Sequence, residues 1–257
     1  MSNGSRTSST VAMALRVLKL LSENPDGIGV SDVARRMGIG RSTAHMLLAT
    51  LVEQEFAFQN EESHYVLGIT AFEVGAAVPD AARFGGELLG PMRELADLSG
   101  EAVSLAIPWN RDAIIVQRFE TNHVLRLDIR VGTRMPLISC ASGKIMLASL
   151  SDAEIDNLYP EDDLPPVTQH SIRSKDLLKS VILPTVRRRR YAITEGEYAE
   201  GIDGVAAGVA DSTGSLVAAL SVAGPSSRFS TDKWVSSLLQ AADDMTALLA
   251  ARRRTQQ

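Results

Sequence analysis

Two stretches of this chain carry residue types at spacings suited to holding anions. In the first, Arg41, Ser42, Thr43 and His45 stand almost side by side, preceded one short segment earlier by Arg35 and Arg36. Guanidinium, hydroxyl and imidazole donors placed this way can reach phosphate oxygens or base edges. In the second, Ser139-Cys140-Ala141-Ser142-Gly143-Lys144 is a small-residue turn opening a helix. The backbone N–H groups of such a first turn can hold a carboxylate or phosphate. It is not a P-loop, because Ile145 stands where Ser or Thr would bind magnesium and Ile138 stands where the upstream Gly should be. Packing alone also favours small residues at a helix start, and that alternative stays open.

The remaining chemistry-bearing residues are sparse. Cys140 is the single cysteine, which excludes an intrachain disulfide and a cysteine-based zinc site. None of His45, His64, His123 and His170 lies in a segment that suggests a Cys–His pair, so the thiol reads as core or pocket wall. Glu195 and Glu197 follow the strand-like Tyr191-Ala192-Ile193-Thr194. Glu195 is kept as a candidate partner for a polar ligand group, although acids at a strand end are usually solvated. Ser221 lies in an apolar run where an inward hydroxyl needs a partner, and strand alternation places Ala219 and Ala223 on its face.

The elements that must position these residues follow from periodicity. Val11, Ala14, Val17, Leu18 and Leu21 mark a helix over 10–23, stopped by Asn24-Pro25-Asp26-Gly27. Val30, Val33, Ala34 and Met37 mark a second, with Ser31 expected as N-cap and Gly38 as breaker. Ala44, Leu47, Leu48 and Leu51 mark a third, running to about Gln54. Two short helices joined by a glycine-containing turn form a helix-turn-helix. At about 100° per residue, Ser42, Met46, Ala49 and Glu53 oppose the buried stripe of the third helix, with Thr43 and His45 on its flanks. Phe56–Gln59 and Tyr65–Leu67 around a polar tip read as a hairpin, the wing, whose Glu61 and Glu62 would repel phosphates.

Beyond Gly68, Ile69, Phe72, Val74 and Ala77 suggest a linker helix, and helical periodicity runs from Ala81 to Ser99. Segments 102–107, 113–119, 124–129, 205–209 and 216–222 read as strands, and 142–149, 175–189 and 231–252 as helices. An antiparallel α+β domain results. Arg187–Arg190 and Arg252–Arg254 are read as a helix end and a terminal tail, not as a nucleic-acid surface.

With 257 residues and 45% hydrophobic content, the chain suits two packed domains. The net charge of −5 supplies no overall positive field. Up to residue 70, Arg6, Arg16, Lys19, Arg35, Arg36 and Arg41 are balanced by Glu23, Asp26, Asp32, Glu53, Glu55, Glu61 and Glu62, so distribution must matter more than sum. The first ten residues lack an apolar leader and no run approaches the roughly 18 residues of a membrane span, so a cytoplasmic location is expected.

The string ALRVLKLLSENPDGIGVSDVARRMGIGRSTAHMLLATLVEQEF, with the hairpin ending YVLG, resembles the isocitrate-lyase-regulator (IclR) family. RVGTRMPLISCASGKIMLASLS, RYAITEGEYAEGIDGVAAGVAD and LVAALSVAGPSSRF resemble later family segments in the same order, so the likeness covers nearly the whole chain. It implies a dimer or tetramer whose C-terminal GAF-like domain binds small organic, often aromatic, acids. Ile138 replaces a frequent His, Gly204 a common Cys, and Ala223 the second Ser of the late strand. Each swap removes a polar group, which implies an effector larger or more apolar than a simple keto acid.

The expected architecture is therefore a winged helix-turn-helix (1–68), a linker helix (69–80) and a GAF-like effector-binding and oligomerisation domain (81–257). The expected function is an effector-controlled DNA-binding regulator, by preference a repressor, with operator DNA, an organic acid and further copies of itself as partners. No cofactor, metal or catalysis is expected. Its DNA-contacting residues are Arg35, Arg36, Arg41, Ser42, Thr43, His45 and Met46. Its effector-contacting residues are Ser139, Cys140, Ala141, Ser142, Glu195, Gly204, Ser221 and Ala223. An effector-independent oligomeric regulator and an enzyme domain using Cys140 are the competing readings.

Overall fold

Helix α1 (Ser9–Ser22) starts where the Ser8 hydroxyl accepts from the Val11 amide, and it buries Val17, Leu20 and Leu21. In this computed structural model, residues 7–77, 84–121, 123 and 129–255 are described. The chain divides into two compact units, Met1–Pro79 and Asp80–Gln257.

In the first unit, Ile28 exchanges backbone hydrogen bonds with Tyr65. That pairing fixes the approach to α2 (Val30–Met37), whose N-cap is Gly29 and not the expected Ser31. Asp32, inside the first turn, pairs with Arg35 at 2.5 Å. Gly38 ends the helix at φ +66°, a left-handed cap that favours glycine. Helix α3 (Arg41–Glu53) follows and buries Ala44, Leu47, Leu48 and Leu51. Strands β1 (Ala57–Gln59) and β2 (Tyr65–Leu67) form the expected antiparallel hairpin. At Gly68 an added Cβ would stand 2.1 Å from the Glu55 carbonyl oxygen, so only glycine lets the chain turn there into α4 (Ile69–Ala76).

The second unit is built on one antiparallel sheet of order β5-β4-β3-β8-β7-β6. Its strands are β3 (Ala102–Trp109), β4 (Asp112–Phe119), β5 (Arg134–Pro136), β6 (Tyr191–Glu195), β7 (Ile202–Ala210) and β8 (Leu216–Pro225). The helical periodicity expected from Ala81 becomes a 3₁₀ turn, Gly86–Leu88, and α5 (Leu89–Ser99). Residues 81–83 of that expectation lie outside the described residues; Phe84 and Gly85 are not helical, Phe84 lying at positive φ, and Gly86 is also at positive φ, so from Phe84 onward regular helix begins only past that point. The strand expected at 124–129 falls almost wholly outside the described residues.

Period-2 alternation sorts the strand residues between two faces. Val103, Leu105, Val205, Ala207, Leu220 and Val222 pack with α5 and with α10 (Thr231–Thr255). Ala106, Ala113, Ile115, Ala192, Ala206 and Ala219 pack against α6 (Ala141–Ala148) and α7 (Asp152–Leu158). The helix expected over 175–189 is interrupted: α8 (Lys175–Leu177) passes through a π turn at Leu178–Ile182 into α9 (Leu183–Arg189). Pro184, early in α9, has no N–H to donate back, which explains the widened turn. Gly143 brings α6 down onto the preceding segment, since an added Cβ would lie 2.2 Å from the Leu137 carbonyl oxygen.

Candidate functional sites

The first candidate site lies on α2 and α3. Arg41, Ser42, His45 and Met46 are exposed on the side of α3 away from its buried stripe, and Thr43 is half-buried. Gly40 is the N-cap and offers no side-chain acceptor, so the first-turn amides of α3 stay available to a phosphate. The residue pattern did not show that opening, because a Gly cap and a Ser42 inside the helix look alike in sequence. Arg35 and Arg36 are exposed, but neither is idle. Arg35 is held by Asp32, and Arg36 Nη1 donates to Asn24 Oδ1 at 3.3 Å. Among the described residues Arg41 has no acidic partner. At the wing tip Glu61 and Glu62 are exposed, and His64 Nδ1 stands 3.8 Å from Glu62.

The second site is a cavity on the α6 face of the large sheet, with about 500 Å³ of unfilled space counted out to its mouth. Strand register builds its floor in two rows. One row runs Ser221, Ser104, Arg118 across β8, β3 and β4. The next runs Thr194, Gly204, Ala223 across β6, β7 and β8. The first row is polar and the second nearly free of side-chain bulk. Ile115, Ile129 and Met135 supply apolar wall, and Tyr198 adds an aromatic ring.

Of the residues expected to meet a ligand, Cys140, Ala141, Ser142, Gly204, Ser221 and Ala223 all line this cavity. Ser221 Oγ donates to the Ser104 carbonyl at 3.3 Å, so backbone satisfies it. Two expected residues are not there. Ser139 is fully buried outside the lining, and its hydroxyl has no hydrogen-bond partner among the described residues. Glu195 is exposed at the end of β6, because alternation turns Thr194 inward and sends Glu195 the other way.

Glu197, expected to be solvated, is instead buried against Lys144 at 2.6 Å. Burial pushes its carboxyl up from the usual range, and the Lys144 ammonium opposes that shift. Lys144 also donates to the Ile193 carbonyl at 2.9 Å, so its charge ties α6 to β6. Cys140 accepts the Gly143 amide at 3.3 Å, and burial pushes its thiol up to about 12. A thiol so protonated at neutral pH is a cap and not a nucleophile.

Residue-by-residue reading missed Ser104, Arg118, Thr194 and Tyr198, whose only clue was a polar residue within or beside an apolar strand. The Arg118 side chain is 5% exposed; its Nε lies 2.5 Å from Glu120 Oε1, and its Nη1 donates to Ser104 Oγ at 2.8 Å. Among the described residues no group of three or more His, Cys, Asp or Glu is placed to hold a metal ion. No described helix is long and apolar enough to cross a membrane.

A winged helix-turn-helix with a donor-bearing third helix, joined in one chain to a sheet domain with an apolar cavity, defines a two-module DNA-binding regulator. The comparisons with known proteins agree. Residues 10–61 match the IclR helix-turn-helix domain, and residues 87–247 match the bacterial transcriptional regulator IclR C-terminal domain. The chain belongs to the IclR family of bacterial transcriptional regulators. It is 29% identical over 227 residues to the transcriptional repressor IclR of Escherichia coli K12, covering 87% of this chain and 82% of that protein. The crystal structure of Thermotoga maritima IclR is 25% identical with a TM-score of 0.74, covering 93% of this chain and 98% of that one. An IclR homolog from Microbacterium hydrocarbonoxydans, solved in complex with 4-hydroxybenzoate, shares the fold at 23% identity with a TM-score of 0.82, covering 94% and 99%.

Proposed function

We propose that this protein is a repressor whose operator affinity is set by a small organic acid in the cavity of its second unit. The observation that carries this reading is the cavity itself, apolar in its walls and polar along one row of its floor, as expected for a site that orients a small ligand. Cys140 already occupies the Gly143 amide, which leaves the amides of Ala141 and Ser142 at the α6 start for a further acceptor atom of the ligand. Gly204 and Ala223 leave room where the family commonly carries Cys and Ser, which favours an aromatic or otherwise bulky apolar acid over a keto acid.

Arg35, Arg36, Arg41, Ser42, Thr43, His45 and Met46 contact DNA in this reading, with α3 in the major groove and α4 serving as the linker. The protein acts in the cytoplasm as a homodimer or tetramer. Val11 and Leu15 of α1 and Ile69, Phe72 and Val74 of α4 are exposed apolar side chains that a second copy would cover. The acid controls repression only by binding one arrangement of the dimer better than the other.

The test is a fluorescence-anisotropy titration of the protein against DNA from upstream of its own gene, at fixed salt, with and without aromatic and aliphatic acids. Sequence-dependent binding that one acid alters supports the reading. Binding that no acid alters favours an effector-independent regulator. Absence of binding under every condition sinks the proposal.

A further inference from the structure

We infer that Arg118 is the residue that selects for a negatively charged effector, and that the effector's carboxylate takes the place now held by Glu120. This rests on the cavity being the effector site. Arg118 sits at the end of the polar floor row, opposite Ser104 in register. Asp203 also borders the cavity, but alternation in β7 turns its side chain to the opposite face from Gly204. Among the described lining residues, the cavity face therefore carries one charged side chain, and it is a cation.

The hydrogen-bond inventory of Arg118 leaves a place for a ligand. A guanidinium has five N–H donors. Among the described residues three are engaged: Nη1 to Ser104 Oγ, and Nε and Nη2 to the two oxygens of Glu120 at 2.5 and 3.3 Å. The partners differ in cost. Arg118 is nearly withdrawn from solvent, whereas the Glu120 side chain is 47% exposed. Glu120 can swing into water at small cost, but Arg118 cannot be left unpaired in the sheet. A ligand carboxylate that takes over the fork keeps the buried charge neutralised. Glu101, which lines a second cavity together with Arg118, is already gripped by Arg228 at 2.7 and 2.9 Å.

The second row sets the shape of the rest of the ligand. Gly204 and Ala223, paired in register, form a floor of small residues beside the guanidinium, with Ile129 and Ile202 on the lining. Flat apolar acids fit this floor, and their neutral amides have the same outline without the charge.

The experiment measures binding of benzoate, 4-hydroxybenzoate and phenylacetate, each beside its amide, to the full-length protein by calorimetry and thermal shift. The wild type is expected to bind at least one acid and to prefer it over its amide. Arg118→Gln should weaken the acid roughly ten- to hundredfold and erase the preference. Glu120→Gln leaves Arg118 in place and removes its competitor, so it should tighten acid binding roughly threefold. A merely structural Arg118 would give no tightening in Glu120→Gln. If a folded Arg118→Gln keeps the acid-over-amide preference, or Glu120→Gln fails to tighten binding, the inference falls while the effector cavity stands. If the wild type binds none of the acids, cavity reading and inference fall together.

Discussion

Lys144 and Glu197 form an ion pair, 2.6 Å from Nζ to Oε1, with both side chains buried where α6 meets the loop after β6. Glu197 Oε2 has no partner among the described residues, so the carboxylate depends heavily on this one ammonium. Lys144→Met should destabilise the protein by about 3–5 kcal/mol, because it leaves a buried, uncompensated carboxylate. Urea unfolding with Glu197→Gln in the same background would check this, since removing both charges should recover much of the loss.

The pH dependence of Lys144→Met follows from the direction of the Glu197 shift. Its carboxyl is raised by burial, so the folded state binds a proton more tightly than the unfolded chain. Stability from that proton is fully present below the unfolded carboxyl range and is lost as pH rises through the raised folded value. Loss of the ammonium raises that value further. The variant should therefore lie closer to wild type at acid pH than at alkaline pH, as denaturation midpoints across the range would show.

Cys140 should resist thiol reagents in the folded protein at neutral pH, because burial holds its thiol up at about 12. Labelling with a chromogenic disulfide is expected to be slow in buffer and complete in guanidinium. Rapid native labelling would contradict the buried cap.

The arginines proposed to contact DNA should not be equivalent. Arg41 has no acidic partner among the described residues, whereas Arg35 is held by Asp32. Arg41→Ala should weaken operator binding more than Arg35→Ala and reduce the salt slope by about 1. Asp32→Ala frees Arg35 and should strengthen binding. Anisotropy titrations at several salt concentrations would separate the three.

Two glycines should respond oppositely to an added methyl. At Gly204 a Cβ would meet Thr194 Oγ1 at 3.3 Å and the Ala223 Cβ at 3.5 Å, tight but tolerable, and it would take space from the cavity. Gly204→Ala should lower effector affinity with little change in melting temperature. Gly143→Ala forces a Cβ to 2.2 Å from the Leu137 carbonyl, and a loss of roughly 3 kcal/mol or more is expected.

Periodicity along the chain was enough to determine the helix-turn-helix, the wing and most of the sheet, because each rests on apolar residues repeating every two or three to four positions. Residues within a few positions of one another, such as Arg41, Ser42 and His45, could be placed on one face by helical geometry alone. The start of α6 and the strand holding Ser221 and Ala223 were legible for the same reason, whereas β5 and α7, short and weakly patterned, were not. What only the tertiary structure decided is pairing across long sequence separations. Arg118 meets Ser104 through the β3–β4 register, Lys144 meets Glu197 across more than fifty residues, and Glu195 turns outward because its neighbour Thr194 is the one that faces the cavity. A strand's own residues state only which of them share a face. Which face is buried, and which charge waits there, depends on the neighbouring strands that hydrogen-bond to it.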